Sequence, residues 1–404
     1  MPWQEIFTVQ QRENLVMAVR EKRASVAKMC CRTGVSRKTA YKWIERFQAG
    51  GRGGLTDQSR ARRTQPERMS DAVCDEILMI RDAHPTWGAR KLQKRLTEVL
   101  PASKVPAMST IGSILAAAAL TAPAGKRRHP PLCRDAMWRT AREPNDLLTI
   151  DYKGWFKLTG GEQCHPLTVC DSASRSIRAI VAMPAPSLDG VLLTMKSVFK
   201  RDGLPLCVRS DNGSPFAGNG LGRLSQFNVW LLRLGIAIDL ITPGRPGENG
   251  SHEQMHRVMA AETTRPPRAT MREQQQRFDE FRRYYDYERY HEGIDMKRPA
   301  ELYRPSPRRY KPIKAGEHPE ANAYAAHWRT QLVRTNGTIM MDDRSVFLSQ
   351  PLAGCMVGLI ELDDRLWQVH FGRTLLGVID TSEKRARVQD LLATKEPSPM
   401  RLYP

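Results

Sequence analysis

Two aspartates end apolar, strand-like segments in the middle of the chain. Asp151 ends the strand in LLTIDYKG, and Asp211 ends the strand in LCVRSDNGSPF, where Asn212 and Gly213 turn the chain at once. A carboxylate on a rigid strand has few rotamers to lose, so two of them on neighbouring strands can hold a hard, oxygen-preferring cation such as Mg²⁺. The alternative for each aspartate is a turn or capping role, which is common beside Asn-Gly.

A third acid follows a glycine-rich loop, in the segment GRPGENGSHEQMHRVMAAE. The pattern predicts a helix that begins near Ser251, with Glu253 in its first turn. The same residues, from His252 to His256, also spell H-E-x-x-H, which on a helix can bind Zn²⁺ between two imidazoles with the glutamate as general base. A zinc metalloprotease is therefore an alternative function, although it leaves the two aspartate-bearing strands unexplained.

Several segments, taken in order, resemble the integrase-like DDE transposases of bacterial insertion sequences, whose integrase catalytic core belongs to the ribonuclease H-like superfamily. The resemblance rests on LTIDYKG, PLTVCDSASRSIRAI, RSDNGSPF and PGRPGENGSHEQMHR, and it continues through YERYHEGIDMKRPAELYRPSPRRY. It implies that the family's three metal-binding, catalytic acids fall on Asp151, Asp211 and Glu253. Glu248 is the alternative third ligand, but it lies in the loop, and a rigid helix positions a ligand better.

The resemblance also implies a chemistry and a set of partners. The chemistry is phosphoryl transfer with Mg²⁺, for which Mn²⁺ can substitute, and it requires no covalent protein intermediate. The partners are double-stranded DNA, both the terminal inverted repeats of a mobile element and the target, and further copies of the chain in a synaptic complex. In this interpretation His252, His256 and Arg257 lie near the acids and contact phosphate, rather than forming a plain solvated helix face.

The N-terminal region shows a compact helical pattern between Val9 and Phe47. Its third helix starts at Ser36 as N-cap and buries Ala40, Trp43 and other residues at helical spacing. The order helix, glycine turn, basic helix is typical of a helix-turn-helix, although an ordinary helical hairpin with a solvated basic face is the alternative. The predicted DNA-binding residues of this helix are Ser36, Arg37, Lys38, Thr39 and Lys42.

A second helical unit follows an Arg-rich stretch. Val73, Ile77 and Ile80 share one helical face, and the segment TWGARKL opens another helix. A tandem helix-turn-helix is therefore predicted. The linker after it carries Lys126, Arg127 and Arg128, which we expect to follow DNA phosphates, unless they are only a basic linker.

From Leu147 onward the hydrophobic period changes to that of strands, first three in succession and then alternating with helices. This predicts a multidomain α/β protein: an N-terminal tandem helix-turn-helix, a central ribonuclease H-like catalytic core with a mixed sheet, and a C-terminal small β-barrel. The predicted domains are a helix-turn-helix at 1–60, a second helical DNA-binding unit at 61–125, a basic linker at 126–145, the integrase-like core at 146–300, a proline-rich arm at 301–330, and a barrel with a tail at 331–404.

The composition agrees with a polyanionic partner. The 404 residues include 63 Lys and Arg against 43 Asp and Glu, a formal net charge of +20. The sequence has no long apolar run and no signal-peptide pattern, and its eight cysteines form no C-x-x-C pair. We therefore expect a cytoplasmic, nucleoid-associated protein with no membrane contact and with reduced cysteines. A catalytically silent DNA-binding regulator remains a further alternative.

Overall fold

A computed structural model describes residues 8–57, 69–121, 141–218, 221–242, 246–341 and 343–382, together with the backbone of 388–389 and 400–402. The chain divides into two compact units, Met1–Ser70 and Asp71–Pro404. Within the described ranges, no helix is both long and apolar enough to cross a membrane.

The first unit contains three helices, of which the second and third begin at serine caps. They are α1 (Thr8–Arg20), α2 (Val26–Thr33) and α3 (Arg37–Gly50). The hydroxyl of Ser25 accepts from the Lys28 N–H, and that of Ser36 accepts from the Thr39 N–H. Gly34 ends α2 with φ of 67°, a left-handed conformation that glycine adopts without strain. The helices bury a small core around Leu15 and Trp43, as the hydrophobic spacing predicts.

The second unit opens with three more helices, α4 (Asp71–Ala83), α5 (Ala89–Val99) and α6 (Met108–Ala117). Their apolar residues recur every three or four positions and face one another, so that Ile77, Leu92 and Ile111 are fully buried. The predicted second helical unit is therefore present.

A seven-stranded mixed sheet forms the centre of the second unit, and we call it the core sheet. Its strands are β1 (Leu147–Tyr152), β2 (Phe156–Lys157), β3 (Gln163–Asp171), β4 (Ile177–Met183), β5 (Cys207–Ser210), β6 (Ala237–Leu240) and β14 (Met400–Leu402). β1 and β5 are parallel, as are β5 and β6, whereas β3 is antiparallel to β1 and β4. The mixed sheet that the sequence predicted is therefore present, with successive strands followed by strands that alternate with helices.

Helices cover both faces of the core sheet. They are α7 (Leu188–Asp202), α8 (Gln226–Arg233), α9 (Gly250–Thr263), α10 (Met271–Tyr287) and the short α11 (Pro299–Leu302). Side chains of β3 alternate between the faces: Leu167 and Val169 pack with α7 and α8, whereas Cys170 packs with α9 and α10. The two layers of helices therefore fix the sheet from both sides.

In its described residues the C-terminal region forms an antiparallel sheet, and the small β-barrel that the sequence predicted is not confirmed. Its strands are β7 (Arg329–Leu332), β8 (Thr338–Met341), β9 (Arg344–Phe347), β10 (Met356–Glu361), β11 (Leu366–Phe371), β12 (Thr374–Asp380) and β13 (Val388–Gln389). Five of them form an open sheet in the order β13-β12-β11-β10-β7, and β8 pairs only with β9, so the strands described here do not close. The physical reason is that Val357 and Leu359 join the same hydrophobic cluster as Phe227 of α8, so the core, rather than closure, buries the apolar face of the sheet.

Candidate active site

Asp151 and Asp211 lie at the same edge of the core sheet. Thr149 of β1 is the parallel partner of Arg209 of β5, and each aspartate stands two residues further along its strand direction. Because parallel strands keep this register, both carboxylates emerge beside each other at the carboxyl ends of β1 and β5. The backbone N–H of Gly213 donates to Asp211 Oδ1 at 3.1 Å and thereby orients that carboxylate.

Gly213 also leaves room for the Asp211 carboxylate. A Cβ atom at this position would stand 3.2 Å from Asp211 Oδ2, so a side chain there would press on the carboxylate. The Asn212 side chain turns away and donates to the carbonyl of Ile241 at 2.6 Å, which ties the turn to the end of β6. The Asn-Gly pair therefore fixes Asp211 in two ways: Gly213 donates to its carboxylate, and Asn212 ties the turn to the end of β6.

Glu253 approaches the two aspartates from α9. It lies in the first turn of this helix and is exposed, as the sequence predicts. The three acids are close enough for their charges to interact. The pKa of Asp151 is raised to about 7, first by burial, then by the charge of Asp211 and to a lesser degree by that of Glu253. A backbone hydrogen bond from Tyr152 and the charge of Lys153 oppose this rise. The structure thus brings the three predicted acids together as mutually repelling carboxylates.

This set of donors suits a divalent cation with hard oxygen ligands. Like charges held together at a protein surface are relieved by a bound cation, and carboxylates are the preferred side-chain ligands of Mg²⁺. Within the described part of the chain, no three acidic, histidine or cysteine side chains form a ready-made cage around one ion.

Glu248, the alternative third ligand, is engaged elsewhere. Its Oε2 accepts the backbone N–H of Thr242 at 2.7 Å, which closes the loop between β6 and α9. The geometry therefore favours Glu253 over Glu248.

His252 and His256 lie inside the protein and not on a surface. They are 1 % and 5 % exposed, and both contact the hydroxyl of Thr168, through His252 Nε2 at 2.6 Å and His256 Nε2 at 2.7 Å. The other ring nitrogen of His252 lies 2.6 Å from the hydroxyl of Thr149. Burial lowers the pKa of His252 to about 3 and that of His256 to about 2, so both rings are neutral at physiological pH.

This network corrects two expectations. A phosphate contact by either histidine is wrong for this geometry, because the rings are buried and uncharged. The zinc interpretation of H-E-x-x-H also fails here, because three of the four ring nitrogens of His252 and His256 already have hydroxyl partners on β1 and β3. The two histidines instead pack α9 onto the sheet beside Asp151, whose Oδ2 lies 3.9 Å from His256 Nδ1.

Thr168 is a residue of the site that the sequence interpretation missed. It pairs with Asp151 across β1 and β3, and its hydroxyl donates to the Asp151 carbonyl at 2.9 Å. The sequence interpretation also missed Lys153. This residue follows Asp151 by two positions, and side chains two positions apart in an extended chain point to the same side, so the spacing could have identified it. For Thr168 the signal is the cross-strand register, which is a tertiary property.

The remaining predicted DNA-binding residues are distributed as follows. Arg37, Lys38 and Lys42 are exposed on α3, whereas the Ser36 hydroxyl caps that helix and contacts the Thr39 hydroxyl at 2.9 Å. Arg257 is exposed one turn after Glu253 and shares its helix face. Lys126, Arg127 and Arg128 lie outside the described residues.

Sequence families match most of the chain up to residue 299. Integrase core domains match residues 141–246 and 234–299. Ahead of them, a helix-turn-helix domain matches residues 11–63, and a homeodomain-like domain matches residues 39–115.

Solved structures of viral integrases align with the chain at low identity. The HTLV-2 integrase catalytic core domain in complex with magnesium, in its dimeric form, is 13 % identical over 40 % of this chain and 97 % of that chain, with a TM-score of 0.31. The simian T-cell lymphotropic virus intasome in complex with PP2A regulatory subunit B56 gamma is 13 % identical over 74 % of this chain and 97 % of that chain, with a TM-score of 0.36. On the sequence matches, the chain carries helix-turn-helix domains in its N-terminal part, followed by an integrase core domain across residues 141–299.

Proposed function

We propose that this protein is a transposase, which binds the ends of its mobile element and catalyses DNA strand cleavage and strand transfer. The observation that carries the proposal is the convergence of Asp151, Asp211 and Glu253 at one edge of an integrase core. The helix-turn-helix domains and the net charge of +20 support DNA as the substrate. An integrase core domain in general implies polynucleotidyl transfer. In this chain we propose that the three acids form the site of that reaction.

In the proposed reaction the chain's own residues supply ligands and position the DNA. Asp151 and Asp211, fixed at strand ends, and Glu253 on α9 provide the oxygen ligands. Bound Mg²⁺ or Mn²⁺ ions would activate the attacking oxygen and stabilise the departing 3′-oxygen. Lys153 and Arg257 lie near the carboxylates, where their charges pair with phosphate oxygens.

The proposed reaction consists of two successive displacements at phosphorus, and in each of them one bond to phosphorus forms as another breaks. In cleavage, a water oxygen bonds to phosphorus as the bond to the 3′-oxygen breaks, which leaves a free 3′-hydroxyl. In transfer, the oxygen of that hydroxyl bonds to a phosphorus of the target DNA as the bond from that phosphorus to the target's own 3′-oxygen breaks; the attacking hydroxyl loses its proton and the departing 3′-oxygen gains one. The carboxylates stay unmodified throughout, so no covalent protein intermediate enters the scheme.

We also propose the finer domain division given by the sequence, with DNA-binding units at 1–60 and 61–125, a linker at 126–145, the core at 146–300, an arm at 301–330 and the C-terminal region at 331–404. Ser36, Arg37, Lys38, Thr39 and Lys42 of the first unit, together with the linker residues Lys126, Arg127 and Arg128, are proposed DNA contacts. Synapsis of two element ends calls for more than one copy of the chain, so we propose a homo-oligomer on DNA.

The experiment that tests the proposed function is strand transfer in vitro. Purified full-length protein, labelled duplexes that carry the inverted repeats flanking its gene, and plasmid target are incubated with Mg²⁺. We expect covalent joining of the 3′ ends to the plasmid, detected on denaturing gels. Specific binding of the repeats without any cleavage or joining in Mg²⁺ or Mn²⁺ would indicate a silent DNA-binding regulator instead.

The basic face of α3 gives a prediction about salt dependence. In the full-length protein, changing Arg37, Lys38 and Lys42 together to alanine should weaken binding of end DNA. It should also lower the slope of log affinity against log salt by about one for each lost phosphate contact. Fluorescence anisotropy over a salt series measures both quantities. Lys314→Ala, an exposed lysine far along the sequence, is the control and should leave the slope unchanged. An unchanged slope in the triple variant would remove α3 from the DNA interface.

The raised pKa of Asp151 gives a prediction about pH. A carboxylate binds a cation in its ionised form, and in the metal-free protein Asp151 ionises only near pH 7. Mn²⁺ affinity measured by calorimetry should therefore be greatest above that pH and should fall as the pH is lowered through it, by up to about tenfold per pH unit. The Asp151→Asn variant should bind Mn²⁺ more weakly and lose this dependence. Affinity that stays constant as the pH falls from about 8 to about 5.5 would contradict the assignment of Asp151 as a ligand.

A further inference from the structure

The second helical unit, α4 to α6, is docked against α9 and α10 of the core. Trp87, between α4 and α5, is 1 % exposed, and its indole N–H donates to the Tyr284 hydroxyl of α10 at 2.6 Å. His84 stacks on Trp87 with ring centroids 4.0 Å apart, and Tyr290 meets the indole edge-on at 5.4 Å. The tryptophan thus anchors the unit in an aromatic pocket of the core.

Polar contacts surround this anchor. Thr86 donates to Glu262 Oε1 at 2.6 Å and accepts from Arg289 Nη1 at 2.7 Å, and Arg289 is only 3 % exposed. Arg289 also donates to the Tyr284 hydroxyl at 3.2 Å. Buried hydrogen bonds of this kind accept little change in geometry, because a broken one leaves a polar group without a partner.

Two ion pairs extend the contact along α5. Arg90 bonds Glu292 at 2.8 Å near the start of this helix, and Glu98 bonds Arg298 at 2.7 Å near its end. The unit is therefore held to the core at several separated points, which fix its orientation as well as its position.

The docking point is connected to the candidate active site by a single helix. α9 carries Glu253 in its first turn and Glu262 in its last, nine positions later, about 13 Å along the helix axis. Because an α-helix rises about 1.5 Å per residue, an intact helix sets the distance between residues near its two ends. The site at one end of α9 and the helical unit at the other are therefore at a fixed separation.

The last helix of the docked unit has a surface suited to a DNA groove. α6 buries Ile111 and Leu115 against its own unit, and it leaves Ser109 and Ser113 exposed. The match to a homeodomain-like domain ends within this helix, and in such folds the last helix enters the major groove. The Ser109 hydroxyl can contact the edge of any base pair there, since it both donates and accepts, whereas the Ser113 hydroxyl already donates to the Ser109 carbonyl at 3.0 Å and is left to accept.

We propose that the docked unit is a ruler, which holds the end duplex at a fixed distance from the three carboxylates and so selects the phosphodiester that is cut. This inference rests on the proposed function. In this proposal the contacts of Trp87, Thr86 and Tyr284 act by positioning, since they join the helical unit to α9 and α10 of the core. A DNA-binding domain that moved independently of the core would need no such set of buried hydrogen bonds to the helix that carries Glu253.

The test loosens the docking without removing the anchor. Thr86→Val and Tyr284→Phe, combined in the full-length protein, delete two hydroxyls with little change in volume. Thr97→Val is the matched control, because the Thr97 hydroxyl bonds only within α5. Cleavage of end-labelled DNA is mapped to the nucleotide. We expect the ratio of the principal cut to neighbouring cuts to fall roughly tenfold in the double variant, as the loss of two hydrogen bonds implies. It should stay unchanged in the control.

A second measurement separates this inference from the proposed function. The same variants are made in a Glu253→Gln background and bound to DNA whose phosphates carry a photocrosslinker one position at a time. A ruler predicts crosslinks to the core sheet from one phosphate in the parent and from several in the loosened protein, whether or not the enzyme cuts. One identical crosslinked phosphate in both, or wild-type cutting precision in the double variant, would overturn the inference. Absence of cutting in every protein, with the crosslink shift retained, would instead overturn only the proposed function.

Discussion

Asp211→Asn should lower DNA strand transfer by about a thousandfold or more, since the loss of about 4 kcal/mol of transition-state stabilisation slows a reaction by that factor. The amide keeps the size of the side chain and can still accept the Gly213 N–H. It cannot supply a charged ligand, however. Asp151→Asn and Glu253→Gln should behave in the same way. Rates of strand transfer on pre-cleaved ends measure the effect without the preceding cleavage step.

The control for this series is Glu248→Gln. Its amide oxygen can still accept the Thr242 N–H, so the loop before α9 should keep its structure and the rate should stay near that of the wild type. Thermal unfolding and binding of end DNA should be close to normal in all four variants, because none changes the basic surface. Wild-type transfer by any one of the three site variants would remove that residue from the catalytic set, and loss of transfer in Glu248→Gln would reopen the choice of the third acid.

Chelation should abolish strand transfer, and Mg²⁺ or Mn²⁺ should restore it while Zn²⁺ does not. The three carboxylates are hard oxygen donors, which suit hexacoordinate ions, whereas Zn²⁺ in proteins is bound mainly by imidazole and thiolate groups. Atomic emission of the purified protein should show no stoichiometric zinc. Transfer assays after exhaustive dialysis against a chelator, with each metal added back, measure the requirement.

His252→Ala separates the two metal interpretations of the same helix. In the geometry described here, the variant removes two hydrogen bonds between α9 and the sheet, although Thr168 keeps its contact with His256 and Thr149 its bond to the Cys170 carbonyl, so we expect a loss of about 1 to 3 kcal/mol of folding stability. We therefore expect a lower melting temperature and reduced activity, with no change in metal content. Stoichiometric zinc in the wild type that disappears together with activity in His252→Ala would support a zinc enzyme and contradict the proposed function.

The sequence determined the local elements of this protein well, because the signals for them are local. The serine at 36 and the spacing of Ala40 and Trp43 predict α3 within a residue of its observed start, since a cap and a helical period involve only neighbours in the chain. The apolar segments before Asp151 and Asp211 likewise predict β1 and β5. Placing the carboxylates at strand ends follows from the same patterns, and the family resemblance adds Glu253.

Only the tertiary structure decided the surroundings of these acids. His252 and His256 read as exposed helix residues in the sequence, but they are buried because α9 packs over β1 and β3, where the register places Thr149 and Thr168 beneath it. The apolar strands near the C-terminus fit a barrel or an open sheet equally well until α8 is seen to bury their face. The docking of Trp87 against Tyr284 joins residues that are 197 positions apart. No periodicity records such contacts, because they arise from the packing of whole elements and not from the order of neighbouring residues.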